Sequence, residues 1–217
     1  LEIFSLERLT AKRPKYGFTG TALDLVNGWD ASTKDGVQEL WSQLRSESLY
    51  CVGVSPPCRK LSLLQNCTPT HRRQDIRAHL REIRQAESYV ALCVEVAIFQ
   101  IPNGRHFIFE APVGAHSWRV PAMLRLLELP GVFSGTTSGC AVGLRRPRSQ
   151  KPMGKRWRFI SSSDFVAASV NARWTRNHEH EHACGYIQGR KLSQCSRYYP
   201  PQLVHRLLRG LAQQHIA

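Results

Sequence analysis

Two short apolar runs, Leu49 to Val54 and His106 to Phe109, stand on either side of a long helical pattern, and this arrangement restricts the fold more than any other stretch. The pattern runs from about Asp75 to Gln100, with Ile76, Leu80, Ile83, Val90, Val94 and Ala97 on one side and Arg77, Arg81 and Arg84 among the outward residues. A strand, a helix and a second strand in that order call for parallel pairing through a crossover. The first run ends abruptly at Ser55-Pro56-Pro57-Cys58, where each proline fixes its own φ and biases the residue before it toward extended geometry. Cys58 therefore sits in a stiff loop just past a strand end. Residue chemistry alone leaves two readings of it: a nucleophile held in place, or a small buried hydrophobe in a proline turn.

The rest of the chain repeats the alternation. Leu1 to Ser5 is a strand candidate, followed by a basic segment that Pro14 and Gly17 keep from a long helix. Thr21 to Leu25 reads as a second strand, and Val37, Leu40, Trp41 and Leu44 fall on one face of a helix. Later come a helix near Val120 to Leu129, a strand near Val132 to Thr136, a loop rich in Gly, Arg and Pro, a strand from Trp157 to Ser161, and a closing helix with Leu203, Val204, Leu207, Leu208 and Leu211 inward. The expected fold is an open, mostly parallel, Rossmann-like α/β sheet with helices on both faces. In such sheets ligands bind outside the carboxyl ends of the strands, and Asp24, Cys58 and Glu110 all follow predicted strands.

At 217 residues with 42% hydrophobic content, the chain suits one well-buried domain, residues 1–217. Lys and Arg outnumber Asp and Glu by 30 to 16, a net charge of +14 that points to nucleic acid or an anionic surface as partner; a merely solvated basic surface is the rival. Seven cysteines, an odd number without a CxxC pair or a signal peptide, read as reduced thiols in an intracellular protein. No run approaches the roughly 18 apolar residues of a membrane span. The chain opens at Leu1 without a methionine, as a piece of something longer would.

Several stretches carry a family resemblance. Pro56-Pro57-Cys58 with Leu61-Ser62 resembles the PPC-x-x-F-S nucleophile motif of the cytosine-C5 DNA methyltransferases, and Phe109-Glu110-Ala111-Pro112 resembles their ENV motif. Gln150-Lys151-Pro152 with Arg156-Trp157-Arg158-Phe159-Ile160 is similar to the family's basic segment leading into a late strand, and Tyr199-Pro200-Pro201-Gln202-Leu203 to its V-P-P-x-L element. The opening Leu1-Glu2-Ile3-Phe4 looks like the D-L-F-A-G start. Gly28-Trp29-Asp30 and the late H-x-H resemble shortened forms embedded in retroelement polyproteins.

The resemblance implies a methyltransferase sheet, S-adenosylmethionine as methyl donor, DNA or RNA as substrate, a nuclear setting and the rest of a polyprotein as partner. Cys58 would add to carbon 6 of cytosine, because a thiolate is nucleophilic enough near neutral pH, and Glu110 would stabilise the charge that develops toward ring nitrogen 3. Arg156 or Arg158 would hold the flipped base or a phosphate. Arg59 and Lys60 would lower the thiol's pKa from about 8.5 and contact nucleic acid. On the cofactor side the family pattern points to Phe4, Ser5, Pro56 and Pro57, with Asp24 for the ribose hydroxyls and Asp30 for the adenine amino group.

The sequence also departs from the family. Ser5-Leu6-Glu7-Arg8 has no glycine where backbone must approach the cofactor, Arg59 and Leu61 replace Gln and Phe, and Ala111 replaces Asn. The few residues between Asp24 and Asp30 leave no room for a helix and another strand, so one strand–helix unit is expected to be missing. A short insert, 163–198, stands in place of a target-recognition domain. These departures motivate an alternative: a catalytically degenerate, retroelement-derived copy that binds nucleic acid through its basic surface.

Three further features have local readings. His178, His180, His182 and Cys184 alternate, and with Cys195 such residues suit zinc; the lack of standard ligand spacing favours a polar surface loop, and no metal is expected. Arg145, Arg146, Arg148 and Lys151 form a candidate phosphate-contacting loop. Trp118, Trp157 and Trp174 can stack bases but read first as core or rim residues. The Asn66-Cys67-Thr68 sequon carries no weight without a secretory signal.

Overall fold

The computed structural model describes residues 1–5, 7–58, 60–61, 76–175, 177–181, 185–187, 190–192 and 198–217. It is a Rossmann-like α/β fold. Six strands, β1 (Glu2–Ile3), β2 (Ala22–Leu23), β3 (Cys51–Val54), β4 (His106–Pro112), β5 (Phe133–Ser138) and β6 (Arg156–Ser161), form one open sheet in the order β2-β1-β3-β4-β6-β5. The first four are mutually parallel, whereas β6 runs antiparallel to both β4 and β5. The reversal has a local cause: a 3-10 turn at Gly139–Val142 and a bridge between Arg145 and Pro152 return the chain at the same edge, so β6 must run back.

Alternation along the strands divides the interior in two. On one face Ile3, Val52, Val54, Phe107, Phe109 and Ile160 pack against α1 (Lys34–Ser46), α2 (Ile76–Gln100) and α3 (Pro121–Leu127). On the other, Ile108, Trp157 and Phe159 pack against α4 (Asp164–Ser169) and α5 (Pro201–Ile216). A small hairpin, β7 (Tyr186–Ile187) with β8 (Arg190–Lys191), stands apart from the sheet. Within 163–198, α4 belongs to the core, since Val166 and Val170 are fully buried against α5. From edge strand β2 the chain returns through α1 directly to β3, with no strand outside β2 among the described residues.

The basic segment after β1 becomes a 3-10 helix, Thr10–Tyr16, that contains Pro14. Helix α2 differs from expectation at its start: Ile76 and Leu80, expected on the buried side, are 74% and 46% exposed. Its 25 residues span about 37 Å, against about 13 Å for the four residues of β3. The first turns of α2 therefore run beyond the carboxyl edge of the sheet and flank whatever binds there. Among the described residues no helix is long and apolar enough to cross a membrane.

The start of α1 is fixed by a cap and a close approach. Thr33 accepts the Gly36 amide at 3.0 Å, Asp35 lies in the first turn and Arg45 in the last, all favourable to the helix dipole. The Trp29 indole donates to the Gly36 carbonyl at 2.8 Å, and a Cβ on Gly36 would lie 2.1 Å from the Asp30 carbonyl oxygen. Gly36→Ala, which would stabilise an ordinary helix, should here destabilise the protein by about 1–3 kcal/mol, read as a lower urea midpoint at unchanged m-value.

Candidate functional site

The carboxyl ends of β1, β3 and β4 meet at one edge. From β3 the chain passes through Ser55, buried Pro56 and exposed Pro57 to Cys58, whose thiol is half-buried and in no disulfide. The turn is closed by the Leu61 amide on the Cys58 carbonyl at 3.1 Å, and Leu61 itself is 3% exposed. Leu61 thus anchors the turn in the hydrophobic core. The Leu61 carbonyl accepts the His116 amide at 2.7 Å, tying the cysteine loop to the segment that follows β4.

Glu110 lies near the end of β4, opposite Phe159 and on the α5 face. Its carboxylate accepts a 2.8 Å hydrogen bond from the Tyr199 hydroxyl, which lies 3.2 Å from Ser55 Oγ. Because Val54 pairs with Phe109, Ser55 and Glu110 are the next residues of neighbouring strands, and Tyr199 bridges them. The Tyr199 ring is edge-on to Trp157 and Phe159, with the Arg8 guanidinium 4.7 Å above it. Burial, reinforced by the nearby Glu110 charge, pushes its phenol well above the usual range, so it stays neutral and donates. The remaining cavity, lined by Glu2, Ser5, Ser55, Glu110 and Tyr199, is about 10 Å³, room for no more than a water.

Beside this cavity lies Glu2, 4% exposed. One carboxylate oxygen accepts from the Arg8 amide (3.1 Å), the Thr10 amide (2.7 Å) and the Thr10 hydroxyl (2.8 Å), and the other from Ser5 Oγ (3.0 Å). These bonds fold the glycine-free loop back onto the strand. Phe4 makes the bend with φ 56°, a left-handed conformation costly for a bulky side chain. The bend turns the Phe4 ring onto Trp29 (5.2 Å) and Tyr89 (5.1 Å), while Ser5 is buried on Glu2.

The two candidate cofactor acids have local duties. Asp24 caps the 3-10 turn Leu25–Asn27 by accepting the Val26 amide at 3.1 Å. Asp30 accepts the Ser32 amide at 2.8 Å, and hydrogen bonds from Ser32 hold its carboxyl below the usual range. The aromatic rings of Phe4 and Tyr89 with these two carboxylates suit an adenosine by chemical type; the loop closed on Glu2 is the part that suits a cofactor least.

The basic candidates divide. Arg158 lies across from Ala111, on the face opposite Glu110, with its guanidinium 4.7 Å over Trp118 and Nε donating to Ser134 at 3.1 Å; burial lowers its pKa. Arg156 shares that face and is exposed. The structure therefore joins neither arginine to Glu110. Lys60 is paired with Glu82 of α2. Arg146 is bound to Glu181 at 2.8 Å, with Lys151 3.9 Å from the same carboxylate, while Arg145 and Arg148 are exposed. Trp118 and Trp157 are core residues; Trp174 is 38% exposed. Arg59, His182, Cys184, Cys195 and the 66–68 sequon lie outside the described residues.

Sequence reasoning gave no role to Glu2 or Tyr199, although an acid inside an apolar opening strand was a signal for the first. It also missed that Cys140, with no spacing cue, meets His178 and His180. Glu2→Ala should destabilise the protein by roughly 2–4 kcal/mol and remove hydrogen-exchange protection at the Thr10 amide. Tyr199→Phe, which leaves the ring in place, should cost only about 1 kcal/mol by chemical denaturation.

No family model matches the chain, and no curated protein matches it.

Proposed function

We propose that this domain is a cytosine-C5 methyltransferase that acts on DNA through a covalent adduct at Cys58. The observation that carries this reading is the shared edge: the loop bearing Cys58 and the strand bearing Glu110 leave neighbouring, in-register parallel strands, and Tyr199 joins Ser55 to Glu110. The Cys58 thiolate adds to carbon 6 of a flipped cytosine, and the ring's charge moves toward nitrogen 3. Glu110, in its acid form and with Tyr199 exchanged for the base, donates a hydrogen bond to nitrogen 3 and so stabilises that charge. Loss of the proton on carbon 5 and departure of the thiolate restore the ring after methylation. S-adenosylmethionine, when bound, supplies the electrophilic methyl group; Phe4, Tyr89, Asp24 and Asp30 are the residues whose chemistry suits its adenosine. Exposed Arg81, Arg84, Arg119 and Arg156 near this edge suit a phosphate backbone in a nuclear, intracellular setting.

One observation favours a second reading. The first loop is folded shut on Glu2 and has no glycine, which fits a degenerate, retroelement-derived copy that holds DNA or RNA through its basic surface without turnover.

With S-adenosylmethionine and a duplex containing 5-fluorocytosine, the protein should form a denaturation-resistant complex that Cys58→Ala abolishes and Glu110→Gln slows by about a hundredfold or more. Absence of the complex despite calorimetric cofactor binding would overturn catalysis. No cofactor binding, together with DNA affinity that falls about tenfold or more over a fourfold rise in salt, would support the second reading.

A further inference from the structure

Beyond the carboxyl end of edge strand β5, two distant stretches of chain bring three metal-ligating side chains together. The 3-10 turn Gly139–Val142 after β5 carries Cys140, and the segment 177–181 carries His178 and His180. One ligand atom from each of the three lies within 4.8 Å of the others. The Nε2 atoms of His178 and His180 are 3.2 Å apart. Two imidazole nitrogens on one tetrahedral zinc, each about 2.0–2.1 Å from the ion, stand roughly 3.3 Å apart, so the histidines already have the spacing of a shared ion.

The tautomer also suits a ligand. Nδ1 of His178 lies 2.7 Å from Oδ1 of Asn177, and an amide oxygen only accepts, so Nδ1 carries the proton and Nε2 keeps its lone pair. That outer hydrogen bond is the usual means of orienting a ligating histidine. Both ligand-bearing stretches are hung on the same short piece of chain: the Gly139 amide donates to the Lys155 carbonyl at 2.7 Å, the Gly154 amide to the Glu181 carbonyl at 3.0 Å, and the Glu181 amide to the Pro152 carbonyl at 2.9 Å. The Arg146–Glu181 ion pair clamps the second stretch again. Gly154 gives His180 its room, since a Cβ there would lie 3.2 Å from the histidine Cβ. Trp174 closes the other side, its ring 4.3 Å from that of His180.

We propose that Cys140, His178 and His180 bind a zinc ion that fastens the segment leading to the β7–β8 hairpin onto the sheet. Two nitrogens and one thiolate are the donor set zinc prefers, and water or a further donor completes the tetrahedron. Binding converts the Cys140 thiol to a zinc-bound thiolate and releases its proton to solvent. The purpose is mechanical. Strands β7 and β8 have two residues each, too few to be stable by themselves, and buried Leu192 ties the hairpin to the core after β8; a zinc ion on segment 177–181 adds a tie ahead of β7. The site is independent of Cys58 and of methyl transfer.

The test uses the whole protein, stripped with chelator and titrated first with Co²⁺ and then with Zn²⁺. A single equivalent of Co²⁺ should give tetrahedral visible bands with a thiolate charge-transfer band, and Zn²⁺ should displace it. Without any variant, one equivalent of Zn²⁺ should slow alkylation of Cys140, located by peptide mass, by about tenfold or more. Cys140→Ser and His178→Ala, checked for native circular dichroism, should each weaken binding by about a hundredfold. Alkylation of Cys140 at the same rate with and without zinc, or metal binding undiminished in both variants because the ion sits elsewhere, would overturn the proposal.

Discussion

A buried carboxylate on the first strand sets the shape of this protein's working edge. A charge taken out of water must be met by donors, and the nearest supply for Glu2 is the chain that follows it. That chain therefore cannot run outward as an open loop. It bends at Phe4, sends Ser5 inward, and starts a 3-10 helix at Thr10. The same fold-back lays Arg8 over the Tyr199 ring, and Tyr199 in turn holds Glu110. One acid thus shapes the surroundings of another, Glu110, across three strands.

The parallel half of the sheet was readable because its signals are local. Short apolar runs ended by proline or glycine, separated by helical periodicity, place β1 to β4 and their helices closely. The antiparallel β6 was not readable: whether a strand continues or reverses depends on the turn at Gly139–Val142 and the bridge at Arg145, neither of which alters the apolar pattern. The exposure of Ile76 and Leu80 was hidden for a similar reason, since periodicity reports which residues share a face but not how far the neighbouring strands reach.

Site residues divide along the same line. The positions of Cys58 and Glu110 at one edge follow from the strand ends. Which basic groups are committed internally depends on partners distant in sequence, such as Glu82 for Lys60 and Glu181 for Arg146, and charge counting treats all lysines and arginines alike. The meeting of Cys140 with the histidines is of this kind, because no spacing rule links a turn after β5 to a segment nearly forty residues on.

Tyr199 stands just before α5, and the cavity beside it has room for little more than a water. Any larger guest at Glu110 must first lever the phenol out, and the phenol is rooted in the stretch that launches the closing helix. That helix reaches back to the start of the chain, where His205 lies 2.6 Å from the Tyr16 hydroxyl. The two ends of the domain therefore act together as a latch: the edge opens only to a visitor that offers Glu110 and Ser55 hydrogen bonds at least as good as those it displaces.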